Sequence, residues 1–213
     1  VHDMKNSIGL LTSALDGLAS ECAGTSCTAA SRLHPLRYEA NRLNGNLLQL
    51  LTLYKIDRSS VSLNIADHNV FDFLKECLLV NAGLLDSKGI TLELECPEDL
   101  TWFFDRELVS GVVNNVLNNA YKYAGDRIRV SADADTGLSI IIEDNGGGYP
   151  PSLTSTTITG PDRFVRFSSG STGLGLYFAA LIAAMHKNDD REGTIAVSNG
   201  GALGGGCFRI ELP

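Results

Sequence analysis

No stretch of the sequence runs apolar for the roughly 18 residues that a membrane span requires, so a spanning helix is excluded and no membrane contact is expected. A basic-then-apolar signal segment is absent as well. Because the sequence opens on Val1 instead of Met, it is expected to be a fragment whose targeting information lies elsewhere. A basic face is also lacking. The net charge is −8, residues 1–60 hold six Lys/Arg against five Asp/Glu, and the remainder carries about −9. Nucleic acid, which needs a basic surface, is therefore not an expected partner. The five cysteines, Cys22, Cys27, Cys77, Cys96 and Cys207, are odd in number and form no C-x-x-C pair. That pattern argues against a disulfide framework or zinc site and for a reducing, cytoplasmic location. With 44% hydrophobic and 20% charged residues, neither wholesale disorder nor a fibrous fold is expected.

What the chain has in excess is glycine: 22 residues in 213, above the usual share of roughly 7%. Fifteen lie after residue 124, clustered at 146–148, 170–175 and 200–206. The length suits one large or two small domains.

Residues 2–58 read as two long helices. Met4, Ile8, Leu11, Leu15, Leu18 and Cys22 are spaced alternately by four and three, as are Leu36, Ala40, Leu43, Leu47, Leu50 and Tyr54. With the polar link Ala23–Cys27 between them, they describe a helical hairpin with a coiled-coil-like seam. Pro35 is expected in the first turn of the second helix or at a kink. One hairpin buries such a seam poorly, whereas two hairpins form a four-helix bundle, so a homodimer through residues 2–58 is expected. The competing arrangement packs the seam on the rest of the same chain.

After Ser60 the periodicity changes. The pattern predicts an extended piece at 61–65, a helix over 70–87 capped by Gly89, strands at 90–95 and 101–104, and a helix over 106–123. Strands at 127–134 and 138–143 follow, then a long loop over 146–172, a helix over 173–186, and strands at 194–198 and 207–212. Residues 61–213 therefore form an α/β sandwich, and the chain as a whole is α+β. Loops of that length inside compact domains are usually functional.

Four asparagines interrupt the apolar helix at 106–123: Asn114, Asn115, Asn118 and Asn119. Asparagine is a poor residue inside helices because its amide competes with the backbone. Asn115 and Asn119 share a stripe that continues to Lys122 and Tyr123. The stripe suits a polar pocket for a metal, phosphates and a flat base, or equally a hydrogen-bonded structural helix. Asp144, at the end of a strand, can accept a hydrogen bond from an exocyclic amine, and Gly146, Gly147 and Gly148 let a ring approach the backbone. Ser171-Thr172-Gly173-Leu174-Gly175-Leu176 is a glycine loop entering a helix whose N–H groups can meet phosphate oxygens. Gly200, Gly201 and Gly204–Gly206 fit a turn between the last two strands, with no ligand required.

In order and spacing these pieces resemble the N, G1, F and G2 boxes of sensor histidine kinases: N-x-x-x-N-A-x-K-Y at Asn115–Tyr123, D-N-G-x-G at Asp144–Gly148, F-x-x-F at Phe164–Phe167 and T-G-L-G-L at Thr172–Leu176. The resemblance implies the two-layer sandwich shared with gyrase, Hsp90 and MutL, with ATP and Mg²⁺ as ligands. It implies that Asn119 holds Mg²⁺, Asp144 recognises adenine, Tyr123 stacks on it, and residues 149–171 form an ATP lid. Asn115, Lys122, Gly146, Gly148, Thr172, Gly173, Leu174 and Gly175 complete the implied nucleotide site. His2-Asp3-Met4-Lys5-Asn6 resembles the phosphoacceptor box of the same family. There Asp3 would hold the Nδ1 proton of His2, leaving Nε2 as the nucleophile. Asn6, one turn along, would orient a water that removes phosphoryl from the partner.

Three departures stand out. Ser7 replaces the proline that often follows the phosphoacceptor box, Ser171 replaces the first glycine of the G2 box, and no arginine follows Phe167 directly. Arg163 and Arg166 either substitute for that arginine or are solvated lid charges. His34, His68 and His186 are expected to be structural or surface residues, and Cys22 and Cys27 free thiols.

The resemblance thus implies residues 1–60 as a dimerisation and phosphotransfer hairpin and residues 61–213 as an ATP-binding catalytic domain. The implied activity is autophosphorylation on His2 and transfer to an aspartate of a response-regulator receiver domain, with response-regulator phosphatase activity as a further role. The sensor region would lie upstream, and the parent protein could be membrane-attached. Two alternatives stay open: another ATPase or a serine kinase on the same sandwich, and a nucleotide-binding pseudokinase or dimeric scaffold.

Overall fold

The structure, a computed structural model, describes residues 13–15, 17–18, 30–57, 62–151, 153–154 and 173–213. The chain divides into two compact units, Val1–Val61 and Ser62–Pro213.

In the first unit the described secondary structure is dominated by helix α1, Ala30–Asp57. It begins at Ala30, so Pro35 falls beyond its first turn, which leaves the second of the two places expected for it, a kink. The 4-3 seam does not behave uniformly along α1. Leu36, Leu43 and Leu50, seven apart, are each more than half exposed, as is Tyr54, while Ala40 is buried and Leu47 half-buried. The first helix of the expected hairpin lies mostly outside the described residues, so the hairpin itself stays an expectation.

The second unit runs β1 (Ile65–Asn69), α2 (Val70–Asp86), β2 (Thr91–Glu95), β3 (Thr101–Asp105), α3 (Arg106–Tyr123), β4 (Arg127–Ala134), β5 (Leu138–Asp144), α4 (Gly173–Met185), β6 (Lys187–Asn188), β7 (Arg191–Glu192), β8 (Thr194–Asn199) and β9 (Gly206–Leu212). The main sheet has the order β2-β4-β5-β9-β8, with β2 parallel to β4 and every other pair antiparallel. Its strands alternate as a one-sided sheet must. Ile128, Val130 and Ala132 of β4, Leu138, Ile140 and Ile142 of β5, and Phe208, Ile210 and Leu212 of β9 are buried. The intervening Arg129, Ser131 and Asp133 are not buried. Against the apolar face lie α3, through Val109, Val112, Val113, Val116 and Leu117, and α4, whose Ala179, Ala180, Ile182 and Ala183 are buried. The result is two layers around one core.

Helix starts are set by side chains. Asn69 takes the Asp72 N–H on its Oδ1 at 2.8 Å and caps α2. Asp105 takes the Leu108 N–H at 3.0 Å to cap α3, and its second oxygen takes the Asn64 N–H at 2.8 Å. Ser87 is the C-cap of α2, with Gly89 (φ +72°) two residues later turning the chain into β2. The extended piece expected at 61–65 is displaced: β1 is Ile65–Asn69, pairing with β3 as a separate two-stranded sheet. Its register is set by β3, where His68 packs on the Phe104 ring at 5.1 Å, and not by an apolar alternation of its own. The β6–β7 hairpin, too short and polar to leave a periodic signal, turns through Asp189 at φ +53°.

His186 ties the end of α4 to the start of α3. Its Nε2 accepts the Asp105 N–H at 3.0 Å, and its Nδ1 lies 2.8 Å from the Ile182 carbonyl, so the ring is neutral with the proton on Nδ1. Burial holds its pKa below the ordinary 6.5, outweighing the pull of the Ile182 hydrogen bond and the Asp105 charge. The unfolded chain therefore binds this proton more readily than the folded one. The contribution of His186 to stability is complete above about pH 6.5 and is lost as the pH falls below it. Thermal melting is expected to show a decline between pH 7 and pH 5 that shrinks in His186→Phe, which should also be less stable at pH 7.5 by about 1–2 kcal/mol. An unchanged pH profile in that variant would contradict the assignment.

Candidate nucleotide site

A cavity of about 180 Å³ opens between α3, the end of β5 and the first turn of α4. It is lined by Val116, Asn119, Ala120 and Tyr123 of α3, Ile142 and Asp144 of β5, Gly148, Tyr149 and Pro150, and Leu176 of α4. The end of β5 is where the sandwich offers backbone and side-chain groups together. The Asp144 carboxylate is held there by two backbone donors, Gly146 N–H at 2.7 Å and Gly206 N–H at 3.3 Å, both on Oδ1. Among the described residues Oδ2 has no hydrogen-bond partner, which leaves it for a donor in the cavity.

Three of the four asparagines of α3, Asn114, Asn115 and Asn119, divide in two directions. Asn114 faces α2: its Oδ1 accepts from Asn81 Nδ2 at 2.7 Å and its Nδ2 donates to Ser110 Oγ at 3.0 Å. Asn115 and Asn119 face the other way. Asn119 is in the cavity wall. Asn115 abuts the first turn of α4, where a Cβ at position 175 would collide with its amide nitrogen and stand 2.8 Å from its Oδ1, so any larger residue there would displace the Asn115 amide. The Asn115 Nδ2 is buried and, among the described residues, has no hydrogen-bond partner. An orphaned buried donor costs on the order of 1–3 kcal/mol, and a site that supplies an acceptor there removes the penalty.

The glycines around Asp144 are required by close approaches. A Cβ at Gly146 would overlap the Tyr123 carbonyl oxygen and lie 2.8 Å from the Tyr123 carbonyl carbon. A Cβ at Gly205 would lie 2.5 Å from the Gly146 nitrogen and 2.7 Å from Asp144 Oδ1. The third glycine cluster is indeed a turn, yet it also braces the acidic residue, which its sequence position did not indicate. Asn145 secures the loop from the other side: its Oδ1 accepts the Asp126 and Arg127 N–H groups, both at 3.0 Å. Glu143, buried on the next strand position, takes the Ala202 N–H at 2.8 Å.

Of the residues singled out in the sequence, Asn119, Tyr123, Asp144 and Gly148 line the cavity, and Asn115, Gly146 and Gly175 form its support. Gly173 and Leu174 open α4. Lys122 is exposed, its Nζ lying 5.0 Å over the Tyr123 ring, and does not line the cavity. Thr172, His2, Asp3 and Asn6, together with Arg163, Arg166 and most of the 149–171 loop, lie outside the described residues. Tyr149, Pro150, Leu176, Val116, Ala120 and Ile142 are further wall residues that motif reading passed over. Leu176, inside the T-G-L-G-L string, and Tyr149, directly after the glycines, carried a positional signal. The apolar three carried only the helix and strand periodicity.

The residues present fit a nucleotide with its magnesium ion: a carboxylate with one free oxygen, an unpartnered amide donor and glycines that admit a ring. Among the described residues no group of three or more His, Cys, Asp or Glu could hold a metal. The Asn119 amide oxygen in the cavity wall, with phosphate oxygens and water, is a hard oxygen donor set of the kind Mg²⁺ takes.

By fold and site this is a nucleotide-binding two-layer sandwich. The chain belongs to the histidine kinase-, DNA gyrase B-, and HSP90-like ATPase family, whose model matches residues 104–213. It is 25% identical over 223 residues to sensor histidine kinase TmoS of Ectopseudomonas mendocina, covering 100% of this chain and 22% of that protein. It is 29% identical over 221 residues to sensor protein KdpD of Escherichia coli (strain K12), covering 100% of this chain and 23% of that one. The structure of Acinetobacter baumannii histidine kinase AdeS superposes with a TM-score of 0.62 at 20% identity, covering 100% of this chain and 97% of the other. The chain spans 22–36% of the length of the first curated relatives it matches. Among the described residues no helix is long and apolar enough to cross a membrane.

Proposed function

We propose that this chain is the autokinase core of a two-component signalling protein: it uses MgATP to phosphorylate its own His2 and passes the phosphoryl group to an aspartate of a response-regulator receiver domain. The observation that carries the nucleotide half is the Asp144 carboxylate, fixed by two backbone donors beside an α3 amide stripe in a chain of this family. Asp144 accepts the exocyclic amine of adenine on Oδ2. Tyr123, 45% exposed at the cavity mouth, offers its face to the base. Asn119 supplies an amide oxygen to the metal, and the Asn115 amide and the first N–H groups of α4 meet phosphate oxygens. When bound, Mg²⁺ neutralises phosphate charge, which an acidic protein needs in order to hold a polyanion. Nε2 of His2 attacks the γ-phosphorus as its bond to the bridging oxygen breaks and ADP leaves, while Asp3 retains the Nδ1 proton, and Asn6 orients a water for the separate phosphatase role, hydrolysis of the phosphoryl group on the response-regulator aspartate.

Residues 1–60 serve as the dimerisation and phosphotransfer domain and residues 61–213 as the catalytic domain, with 149–171 as the lid. The exposed heptad stripe Leu36, Leu43 and Leu50 supports a homodimer, since a single chain leaves it in water. Sedimentation at micromolar concentration is expected to give a dimer, and a monomer for Leu43→Glu combined with Leu50→Glu. A wild-type monomer would contradict this arrangement. The kinase reading as a whole is tested by incubation with γ-labelled ATP, in which label should enter the chain with Mg²⁺ and fail to enter with excess EDTA.

A further inference from the structure

The exit of the glycine triplet is held by a residue 50 positions away. Asn199, the last residue of β8, takes the Tyr149 N–H on Oδ1 at 2.7 Å and donates from Nδ2 to the Tyr149 carbonyl at 2.8 Å. One side-chain amide thus supplies both bonds that a neighbouring strand would give Tyr149. Because β9 lies between β5 and β8, Asn199 reaches Tyr149 past the start of β9, where Gly206 leaves the space. A Cβ at Gly206 would lie 2.8 Å from Asp144 Oδ2 and 3.2 Å from the Tyr149 ring. Gly148 makes a matching approach: its φ is +73° and a Cβ there would lie 2.5 Å from Asn199 Oδ1.

The same turn also grips the acidic residue. Gly200, at φ +87°, donates its N–H to the Gly205 carbonyl at 2.9 Å, and Gly205 donates to the Asp144 carbonyl at 3.0 Å. The end of β8 and the β8–β9 turn are therefore bonded to residues on both sides of the glycine triplet, Tyr149 and Asp144, and both are in the cavity wall. Burial, with the Asp144 and Cys207 charges adding to it, pushes the Tyr149 phenol well above its ordinary pKa of 10, so the ring presents an uncharged wall.

We propose that Asn199 is a positioning residue for nucleotide binding: it fixes the Tyr149 backbone so that the Tyr149 ring and the Asp144 carboxylate are presented together to the purine. This rests on the reading of the cavity as an ATP site. A purely structural role for Asn199 would lower stability without altering the choice of base, whereas a positioning role changes that choice.

The test is calorimetric titration of the 213-residue chain, Asn199→Ala and Asn199→Asp with MgADP and MgGDP. The alanine variant loses both bonds, and the aspartate variant keeps the acceptor but turns an oxygen toward the Tyr149 carbonyl. Both are expected to lose MgADP affinity by about tenfold, the worth of one net hydrogen bond, with MgGDP unaffected, so that the preference for adenine narrows by about the same factor. In the wild-type protein, whose folding is not in question, the Asn199 side-chain amide and Tyr149 N–H resonances are expected to shift on adding MgADP. An unchanged base preference in folded variants, or resonances that ignore MgADP while the wild type binds it, would overturn the inference. Failure of the wild type to bind either nucleotide would instead remove the ATP reading, and this inference with it.

Discussion

Asp144→Ala is expected to lower MgADP affinity by at least about 100-fold, the equivalent of roughly 3 kcal/mol for a buried hydrogen bond to a charged group. Two effects combine. The acceptor proposed for the exocyclic amine disappears, and the Gly146 and Gly206 N–H groups lose the oxygen they share. Each orphaned donor costs on the order of 1–3 kcal/mol, so the alanine variant should also melt at a lower temperature. Asp144→Asn separates the two effects. Its amide oxygen can still take both backbone donors, so stability should stay near that of the wild type, while its NH₂ turned toward the cavity meets the purine amine donor to donor. Binding should fall as far in the asparagine variant as in alanine. Retained affinity in folded Asp144→Asn would mean that the carboxylate does not read the base.

Gly146→Ala is expected to destabilise the second unit by about 3 kcal/mol, at the upper end for overpacking. The new Cβ would meet backbone on three sides, the Tyr123 carbonyl oxygen and carbon and the Ala124 Cα at 3.0 Å, and backbone cannot swing away as a side chain can. Relief would require the end of α3 to part from the loop, which would move Tyr123 and weaken nucleotide binding as well. Gly147→Ala provides the control, because nothing lies within 4 Å of a Cβ there. Its effect should stay within about 0.5 kcal/mol. Denaturant titration of the two variants distinguishes a loop held by close packing from one that merely needs small residues. Equal stability of both would contradict the account of Gly146.

Elements with a full amphipathic period were legible in the sequence. The helix at 106–123 and the strand at 127–134 are found at those boundaries because each places apolar residues on one face over several repeats, and Asp105 supplies a cap. Where residues answered to a partner instead of a period, the sequence was silent. The β1 strand takes its register from β3, and β6 and β7 are two polar residues each. The same distinction runs through the site. Asn115 and Asn119 stood out because asparagine is misplaced in a helix interior unless something uses it, and Asp144 and Gly175 because of the order and spacing in which their glycine strings follow that helix. Gly205, Gly206 and Asn199 could not, since their roles depend on β9 lying beside β5 and β8 beside β9. Asn145, in the glycine string itself, holds the start of β4.

The central claim, that this cavity delivers phosphoryl to a histidine, is tested most directly by incubating the chain with γ-labelled ATP and Mg²⁺ and following the label through acid and alkali. The account predicts label that is lost in acid, survives alkali, and is absent from His2→Gln. Label that survives acid, or that persists undiminished in His2→Gln, would contradict it.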